Sequence, residues 1–234
     1  VGGSFDTPNF FADFDHGPAA WPEVDDSNDL WFVDGFNGTF QVRAERVAFT
    51  CVLPSDVPQP APVVVFGHGY GSSRFDFLGF SWAFNRMGFA ACAFDYPGHG
   101  PTVSASQEPL IEAVLATSGL LAFYTHLKDS RYRDLDNDGH RDSGGDQWTA
   151  DAFHTRDMVR QAAIDHAQFV DSLIDCGQSR WTRPDGSTGV SCDWDEDGTP
   201  DIGGPDVDYY VIGGSLGGIN VAVAAPIVDE VTAW

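Results

Sequence analysis

The 234-residue chain carries 35 acidic and 12 basic side chains, which gives a formal net charge of −23 at pH 7. This balance excludes nucleic acid and anionic membrane surfaces as partners bound through a basic patch. No apolar run approaches the roughly 18 residues of a membrane span, and the first residues lack a basic, apolar signal segment. The length suits one α/β domain with a sizeable core, and the acidity fits a salty or extracellular medium.

The N-terminal part of the chain predicts little regular structure before the first strands. Residues 1–38 are rich in Asp, Pro, Gly and aromatic side chains, which predicts an irregular arm held down by its aromatic rings. Residues 39–43 and 47–53 are rich in β-branched, aromatic and other apolar side chains and predict two strands.

Two short apolar runs predict strands that are buried on both faces, as in a parallel sheet. They cover residues 63–66 and 89–94, and a helix is expected between them from about Arg74 to Met87. This strand–helix–strand order predicts a right-handed crossover. Further helices are predicted within residues 108–127 and from about Asp151 to Ile174, the second with an imperfect apolar stripe.

The most specific motif is Gly-Gly-Ser-Leu-Gly at residues 213–217. The β-branched and aromatic run at 208–212 predicts a strand before it, and the small apolar residues at 216–225 predict a buried helix after it. Glycines two positions before and after a serine allow a sharp strand-to-helix turn that exposes the serine Oγ. Ser215 is therefore the candidate nucleophile.

Three strand-end motifs follow one another along the chain. They are His68-Gly69-Tyr70-Gly71, Asp95-Tyr96-Pro97-Gly98-His99-Gly100 and the serine turn at 213–217. In this order they resemble the α/β-hydrolase superfamily over roughly residues 39–225. The resemblance implies an α/β fold, with a mostly parallel sheet and flanking helices.

The same resemblance assigns roles to residues of the motifs. It implies that Ser215 is the nucleophile and that the backbone amides of Leu216 and of Tyr70 or Gly69 form the oxyanion hole. We expect His68 and His99 to order their loops, because the family's catalytic histidine follows the serine in the sequence.

A narrower resemblance concerns large exported bacterial lipase-like hydrolases. It is carried by Asn28-Asp29-Leu30-Trp31-Phe32, by residues 156–162 and by the serine turn. Gly214 departs from the lipase pattern, which commonly has a histidine just before the nucleophile.

Two aspartate clusters, at residues 134–142 and 193–201, both read Asp-x-Asp-x-Asp-Gly-x-x-Asp. Such closely spaced oxygen ligands, with a glycine for the tight turn, suit Ca²⁺. The candidate ligands are Asp134, Asp136, Asp138, His140 and Asp142 in the first loop, and Asp193, Asp195, Asp197, Thr199 and Asp201 in the second.

The loops resemble the calcium loops of thrombospondin type-3 and dockerin-like segments. Gly145 and Gly204 occupy the position of the EF-hand glutamate, so Asp146 or Asp206 would have to complete each shell. We expect two structural calcium ions without a catalytic role.

The four cysteines allow three pairings. Cys176 and Cys192 bracket a loop rich in Gly, Ser, Thr and Pro, which favours a disulfide. Cys51 and Cys92 fall in predicted strands and form either a second bridge or two buried thiols. Together with the aspartate loops, this cysteine usage predicts the mature part of an exported protein, extracellular, cell-surface or periplasmic.

The acid and histidine of a hydrolase triad are missing after the serine. Asp229 and Glu230 are expected on a helix surface, and no histidine follows Ser215. The chain is therefore expected to be the N-terminal portion of a hydrolase and to be inactive alone. The C-terminal part that completes the hydrolase would belong either to the same chain or to a separate one. The expected division is 39–100 for the first part of the core, 101–206 for an inserted cap and 207–234 for the nucleophile segment.

The sequence thus predicts an exported serine hydrolase that cleaves carboxylic esters, lipids included, through an acyl-enzyme. A peptidase or acyltransferase of the same superfamily would share this chemistry. From another class, a calcium-stabilised, non-catalytic surface or assembly protein would explain the aspartate loops and the absent histidine.

Overall fold

The computed structural model describes residues 1–12, 29–55, 57–104, 106–133, 141–183 and 185–234. The strands are β1 (Gly2–Asn9), β2 (Phe11–Ala12), β3 (Leu30–Trp31), β4 (Val33–Asp34), β5 (Thr39–Phe40), β6 (Arg43–Val52), β7 (Val63–Gly67), β8 (Ala90–Phe94), β9 (Arg180–Thr182), β10 (Thr188–Val190) and β11 (Tyr209–Gly213). The helices are α1 (Ser81–Arg86), α2 (Glu108–Thr117), α3 (Leu121–Lys128), α4 (Ala152–Gln178) and α5 (Leu216–Ala224), with short 3₁₀ helices at Asp76–Gly79 and Ala225–Ile227.

A five-stranded mixed sheet in the order β1-β6-β8-β7-β11 forms the centre of the molecule. β6 runs antiparallel to both β1 and β8, whereas β8, β7 and β11 are parallel to one another. All five residues of β8 are buried, as the continuous apolar run predicts for a parallel strand covered on both faces.

Alternate residues of the sheet contact different layers. Phe94 packs with Phe169 of α4 on one face. On the other face, Ala91 and Ala93 pack with Phe77 and with aromatic residues around α1. The larger core cluster lies on the α4 side and includes Val65 and Val211 of the two strands that carry the site.

The expectation of an irregular arm is wrong for residues 2–9, which form β1 and pair along β6. The inward-facing positions are Phe5, Thr7 and Asn9, of which only the first is apolar. Thr7 Oγ1 donates to Asp165 Oδ1 at 2.9 Å, so a polar partner on α4 replaces hydrophobic contact. Such a strand gives no alternating apolar pattern in the sequence.

The helix expected from Arg74 to Met87 is reduced to a 3₁₀ turn and the six-residue α1. The helix expected within residues 108–127 is two helices, because the chain turns at Gly119 with φ +72°. α4 begins where expected, after the N-cap Asp151, whose carboxylate accepts from the Phe153 and His154 amides, and continues to Gln178. Although α4 lies in the region expected to be an insertion, it packs on β1 and α5.

Both cysteine pairs form disulfides. The predicted Cys176–Cys192 bridge is confirmed, and Cys51–Cys92 joins register partners on β6 and β8, which settles the alternative left open by the sequence. Among the described residues, no helix combines the length and apolar character that a membrane span requires.

Residues after α5 return to the outer edge of β11. The Thr232 amide donates to Tyr209 O at 2.7 Å, and the Val211 amide donates to Ala233 O at 3.0 Å. The bridge between Tyr210 and Ala233 is parallel, so the chain begins to pair alongside β11.

Candidate active site

Ser215 lies at the turn from β11 into α5, with φ 55° and ψ −119°, and it is exposed to solvent. A positive φ is uncommon for a residue with a Cβ and is the conformation expected of a nucleophile held at a sharp turn. Glycines permit this turn. A Cβ on Gly213 would collide with the backbone of Gly217, and a Cβ on Gly217 would collide with the backbone of Gly67.

The parallel pairing of β7 and β11 brings the first motif beside the serine. Gly67 and Gly213 are register partners, and the Gly214 amide donates to Gly67 O at 3.1 Å. A Cβ built on Gly69 would stand 3.7 Å from Ser215 Cβ, so the glycine backbone lies next to the serine side chain.

The expected oxyanion donors lie at this turn as well. Within the described part of the chain, neither the Tyr70 nor the Leu216 amide has a hydrogen-bond partner. Leu216 is the first residue of α5, where the backbone N–H has no acceptor within the helix. The role of these amides as oxyanion donors stays a prediction.

His68 connects the turns that follow β7 and β8. Its Nδ1 donates to Gly69 O at 2.8 Å, and its Nε2 accepts from the Tyr96 amide at 3.0 Å. Burial, together with the neighbouring His99, lowers the pKa of His68 to about 3. Since both ring nitrogens are engaged and the ring stays neutral, His68 orders the loops and is not a base for Ser215.

A second buried contact links α4 to the turn after β8. Tyr96 Oη lies 2.8 Å from His166 Nε2, and Tyr96 also bonds to the side chain of Asn220 in α5. Burial raises the pKa of Tyr96, so the hydroxyl keeps its proton. Burial also lowers the pKa of His166 to about 3.

The depressed pKa of His166 makes a pH-dependent contribution to stability. The unfolded chain binds a proton near pH 6.5, whereas the folded chain does so only near pH 3. The contribution is therefore complete above pH 6.5 and is lost as the pH falls towards 3. In urea titrations between pH 6 and 4, the free energy of unfolding should fall more steeply in the wild type than in His166→Gln, by about 1.4 kcal/mol per pH unit. Parallel pH profiles would contradict this assignment.

A buried ion-pair network supports the turn after β8. The Arg74 guanidinium pairs with the Asp95 carboxylate. Burial raises the pKa of Asp95 to about 6, although the pairing with Arg74 acts to lower it. Arg131 Nη1 donates to Asp165 Oδ2 at 2.6 Å and to Asp95 O at 3.2 Å. The apolar stripe of α4, predicted to be imperfect, is interrupted by Asp165. This carboxylate is buried and pairs with Arg131.

Sequence reasoning missed the segment that covers the two turns. Ser143 Oγ donates to Ser72 O at 2.7 Å and accepts from the Gly100 amide at 3.1 Å. The segment leads to Trp148, whose ring centroid lies 6.2 Å from that of Tyr70. Trp148 and Tyr70 are about half exposed, at 50% and 49%, so they present an aromatic surface at the turn after β7.

No hydrogen bond joins Ser215 to any histidine that the structure describes. His68 and His166 are engaged as above, and His126 Nε2 contacts Phe49 O at 3.1 Å. The Nδ1 atoms of His99 and His154 contact backbone carbonyls.

The second aspartate loop brings three predicted ligands together. The carboxylates of Asp193, Asp195 and Asp197 offer oxygens that all lie within 4.8 Å of one another. The predicted ligand Asp201 does not join them, since its carboxylate accepts from Gln59 Nε2 and the Trp194 amide, both at 2.7 Å. The Thr199 amide donates to Asp197 Oδ1 at 2.7 Å.

The first aspartate loop falls mostly outside the described residues, which leave out 134–140 and with them four of its predicted ligands. Asp142 is described and exposed, and its amide donates to Arg133 O at 2.6 Å. Asp146, expected to complete the calcium shell of the first loop, is buried. Asp206, expected to complete that of the second loop, is exposed.

No protein-family model matches the chain, and no curated protein has a significantly similar sequence. Among solved structures, a lipase in its open form is 16% identical, with a TM-score of 0.39 over 78% of this chain and 37% of its own. A cold-adapted esterase from an Arctic intertidal metagenomic library is 15% identical, with a TM-score of 0.41 over 81% of this chain and 54% of its own.

Acetyl xylan esterase 1 from Thermoanaerobacterium sp. JW/SL YS485 is 17% identical, with a TM-score of 0.36 over 86% of this chain and 47% of its own. The chain therefore spans between 37% and 54% of the length of these three structures. Its mixed sheet with flanking helices, and the sharp strand-to-helix turn at Ser215, fit an α/β-hydrolase-like fold.

Proposed function

We propose that this protein is an exported serine hydrolase that cleaves carboxylic esters through an acyl-enzyme on Ser215. The observation that carries the proposal is the exposed Ser215 at positive φ, on a strand-to-helix turn directly beside Gly69. Export is supported by the two disulfides, which persist in oxidising compartments.

In the proposed reaction, Ser215 Oγ attacks the ester carbonyl carbon while its proton passes to a histidine. The carbonyl oxygen becomes an oxyanion that accepts from the Leu216 amide and from the Tyr70 or Gly69 amide. The tetrahedral intermediate collapses, the alcohol leaves with the proton, and the acyl group remains on Ser215. Water then repeats these steps and releases the carboxylic acid.

The histidine and its acidic partner are proposed to lie outside this chain, either further along the gene product or on a separate chain. The proposal is supported by the absence of a described histidine at Ser215 and of any histidine after it in the sequence. A serine without a base is a weak nucleophile at neutral pH. The 234-residue chain alone is therefore proposed to be inactive.

The substrate is proposed to carry an apolar group, with lipids included in the class. This step is supported by the half-exposed rings of Tyr70, on the turn after β7, and Trp148, on the segment that covers this turn, which lie 6.2 Å apart. Aromatic faces in contact with solvent favour an apolar acyl or alcohol group over an anionic one.

Hydrolysis of p-nitrophenyl esters tests the function. The gene's full product should release p-nitrophenol, with longer acyl chains preferred over acetate, and the 234-residue chain should not. Release by neither protein would support the non-catalytic alternative, a calcium-stabilised surface or assembly protein. Preference for amide substrates or for an acceptor alcohol over water would indicate a peptidase or an acyltransferase.

We further propose that the two aspartate loops each hold a structural Ca²⁺. The proposal is supported by the three converging carboxylates of Asp193, Asp195 and Asp197, which repel one another without a cation. Cys192 precedes this loop and is bridged to the end of α4, so an ordered loop stabilises the adjacent core.

Calcium should raise the melting temperature of the metal-free protein. At 100 times the dissociation constant, one site contributes about 2.7 kcal/mol, which corresponds to about 5–10 °C for a chain of this size. Asp195→Asn should lose a large part of the shift, and Asp185→Asn, an exposed aspartate in a neighbouring turn, should keep it all. A melting temperature that does not change with calcium, or an equal calcium-induced rise in both variants, would argue against the site.

A further inference from the structure

The side chain of Tyr96 lies next to the turn that precedes the candidate oxyanion donors. Tyr96 is the second residue after β8, and it is 1% exposed. Its amide donates to His68 Nε2 at 3.0 Å, and its ring centroid lies 4.5 Å from that of His68. A Cβ built on Gly67 would collide with Tyr96 Oη, so the hydroxyl packs against the last residue of β7. Tyr96 therefore contacts both residues that precede Gly69.

Gly67 connects this turn to the serine turn. It is the register partner of Gly213, and its carbonyl oxygen accepts from the Gly214 amide at 3.1 Å. A Cβ built on Gly67 would also approach the backbone of Gly217 in α5. A displacement of Gly67 would therefore move the turn after β7 relative to the serine turn.

The same hydroxyl contacts two helices. Tyr96 Oη lies 2.8 Å from His166 Nε2 in α4 and bonds to the side chain of Asn220 in α5. Both partners are buried. A buried hydroxyl is costly unless it is hydrogen-bonded, so movement of either helix away from Tyr96 is opposed. One oxygen atom thus connects the end of β7 with α4 and with the helix that follows Ser215.

The proposed reaction requires this connection to be rigid. Ser215 directly precedes α5, whereas Gly69 and Tyr70 follow β7, so the nucleophile and one oxyanion donor belong to different elements. Acyl transfer depends on their separation, and a displacement of about 1 Å can lower the rate about 100-fold.

We propose that the Tyr96 hydroxyl is a positioning group for the reaction at Ser215, an inference that rests on the proposed function. It holds α5 against Gly67 and so keeps the serine at the separation from Gly69 and Tyr70 that the oxyanion requires. Tyr96 acts through the backbone, because its burial keeps the hydroxyl from touching a substrate.

Steady-state hydrolysis of a p-nitrophenyl ester by the gene's full product tests the inference. Tyr96→Phe keeps the ring and removes only the hydroxyl, so kcat should fall about 10- to 100-fold while KM stays within about twofold. The matched control is Tyr209→Phe. Tyr209 is also 1% exposed, and its hydroxyl donates to Gly204 O at 2.9 Å, at the end of β11 away from Ser215. Both variants should lower the midpoint of urea denaturation similarly, but Tyr209→Phe should keep its kcat.

Asn220→Ala removes the same contact from the α5 side. It should lower kcat as Tyr96→Phe does, and the double variant should lose no more than the more impaired single variant, because all three lack one shared contact. Asn220→Ala also serves as the test if Tyr96→Phe does not fold. Losses that multiply in the double variant would overturn the inference.

Hydrogen exchange provides a readout that does not depend on activity. The amides of α5 should exchange faster in Tyr96→Phe than in the wild type, and Tyr209→Phe should leave them unchanged. Wild-type exchange in Tyr96→Phe, or a kcat no lower than that of Tyr209→Phe, would overturn the inference and leave the esterase proposal intact. A wild-type full product without hydrolytic activity would instead overturn the proposed function, and with it the role of Tyr96 in the reaction.

Discussion

Replacing Ser215 with alanine should lower the rate of ester hydrolysis by the gene's full product about 10⁴-fold or more. The reason is that covalent catalysis requires the hydroxyl at the turn, and loss of a catalytic serine removes the acyl-enzyme route entirely. The backbone amides of Leu216 and Tyr70, the proposed oxyanion donors, would remain, so a small rate above the uncatalysed reaction should persist. The measurement is kcat/KM for a p-nitrophenyl ester.

The matched control is Ser187→Ala, which removes an exposed serine in the turn between β9 and β10. This variant should keep the full rate, and both variants should unfold at the same urea concentration as the wild type. A Ser215→Ala protein that is folded and retains a tenth of the activity would show that another residue carries the chemistry.

Gly217→Ala should lower the free energy of unfolding by about 3 kcal/mol or prevent folding. The added methyl would overlap the carbonyl group of Gly67 and approach His68 O, and these atoms belong to backbone at the end of β7. Backbone in a paired strand cannot move aside as a flexible side chain can. The midpoint of urea denaturation measures the effect.

The adjacent Gly218→Ala is the control, because both glycines lie in α5 and differ in what a methyl would contact. The nearest atom to a Cβ at Gly218 is Gly213 O at 3.4 Å, an ordinary van der Waals distance. Alanine in a helix is favoured over glycine by about 0.5–1 kcal/mol, so this variant should be as stable as the wild type or slightly more stable. Equal losses for the two variants would contradict the close packing of α5 on β7.

The parts of the fold that the sequence predicted correctly are those with a strong local pattern. β7, β8 and β11 are short apolar runs followed by glycine-rich turns, and α5 is a run of small apolar residues. β1 has no such pattern, because its inward-facing Thr7 and Asn9 are satisfied by side chains on α4 and β6. The pairing of β1 with β6 is a non-local contact that no local propensity encodes.

The candidate site likewise has parts that the sequence predicted and parts that it did not. Ser215, Gly69 and Tyr70 belong to contiguous motifs, and the structure brings the first two together through the parallel pairing of β7 and β11. The Arg131–Asp165 ion pair joins residues that are 34 positions apart in the sequence. Only an isolated polar residue in an apolar stripe, as with Asp165, could have indicated such a pair in advance.

Labelling with a fluorophosphonate tests the central claim most directly, because the reagent forms a covalent bond with an activated serine and mimics the tetrahedral intermediate. The gene's full product should take up one phosphonyl group, and mass spectrometry of the peptides should locate it on Ser215. Ser215→Ala should take up none. A folded full product that remains unlabelled, or that is labelled on a different residue, would contradict the assignment of Ser215 as the nucleophile.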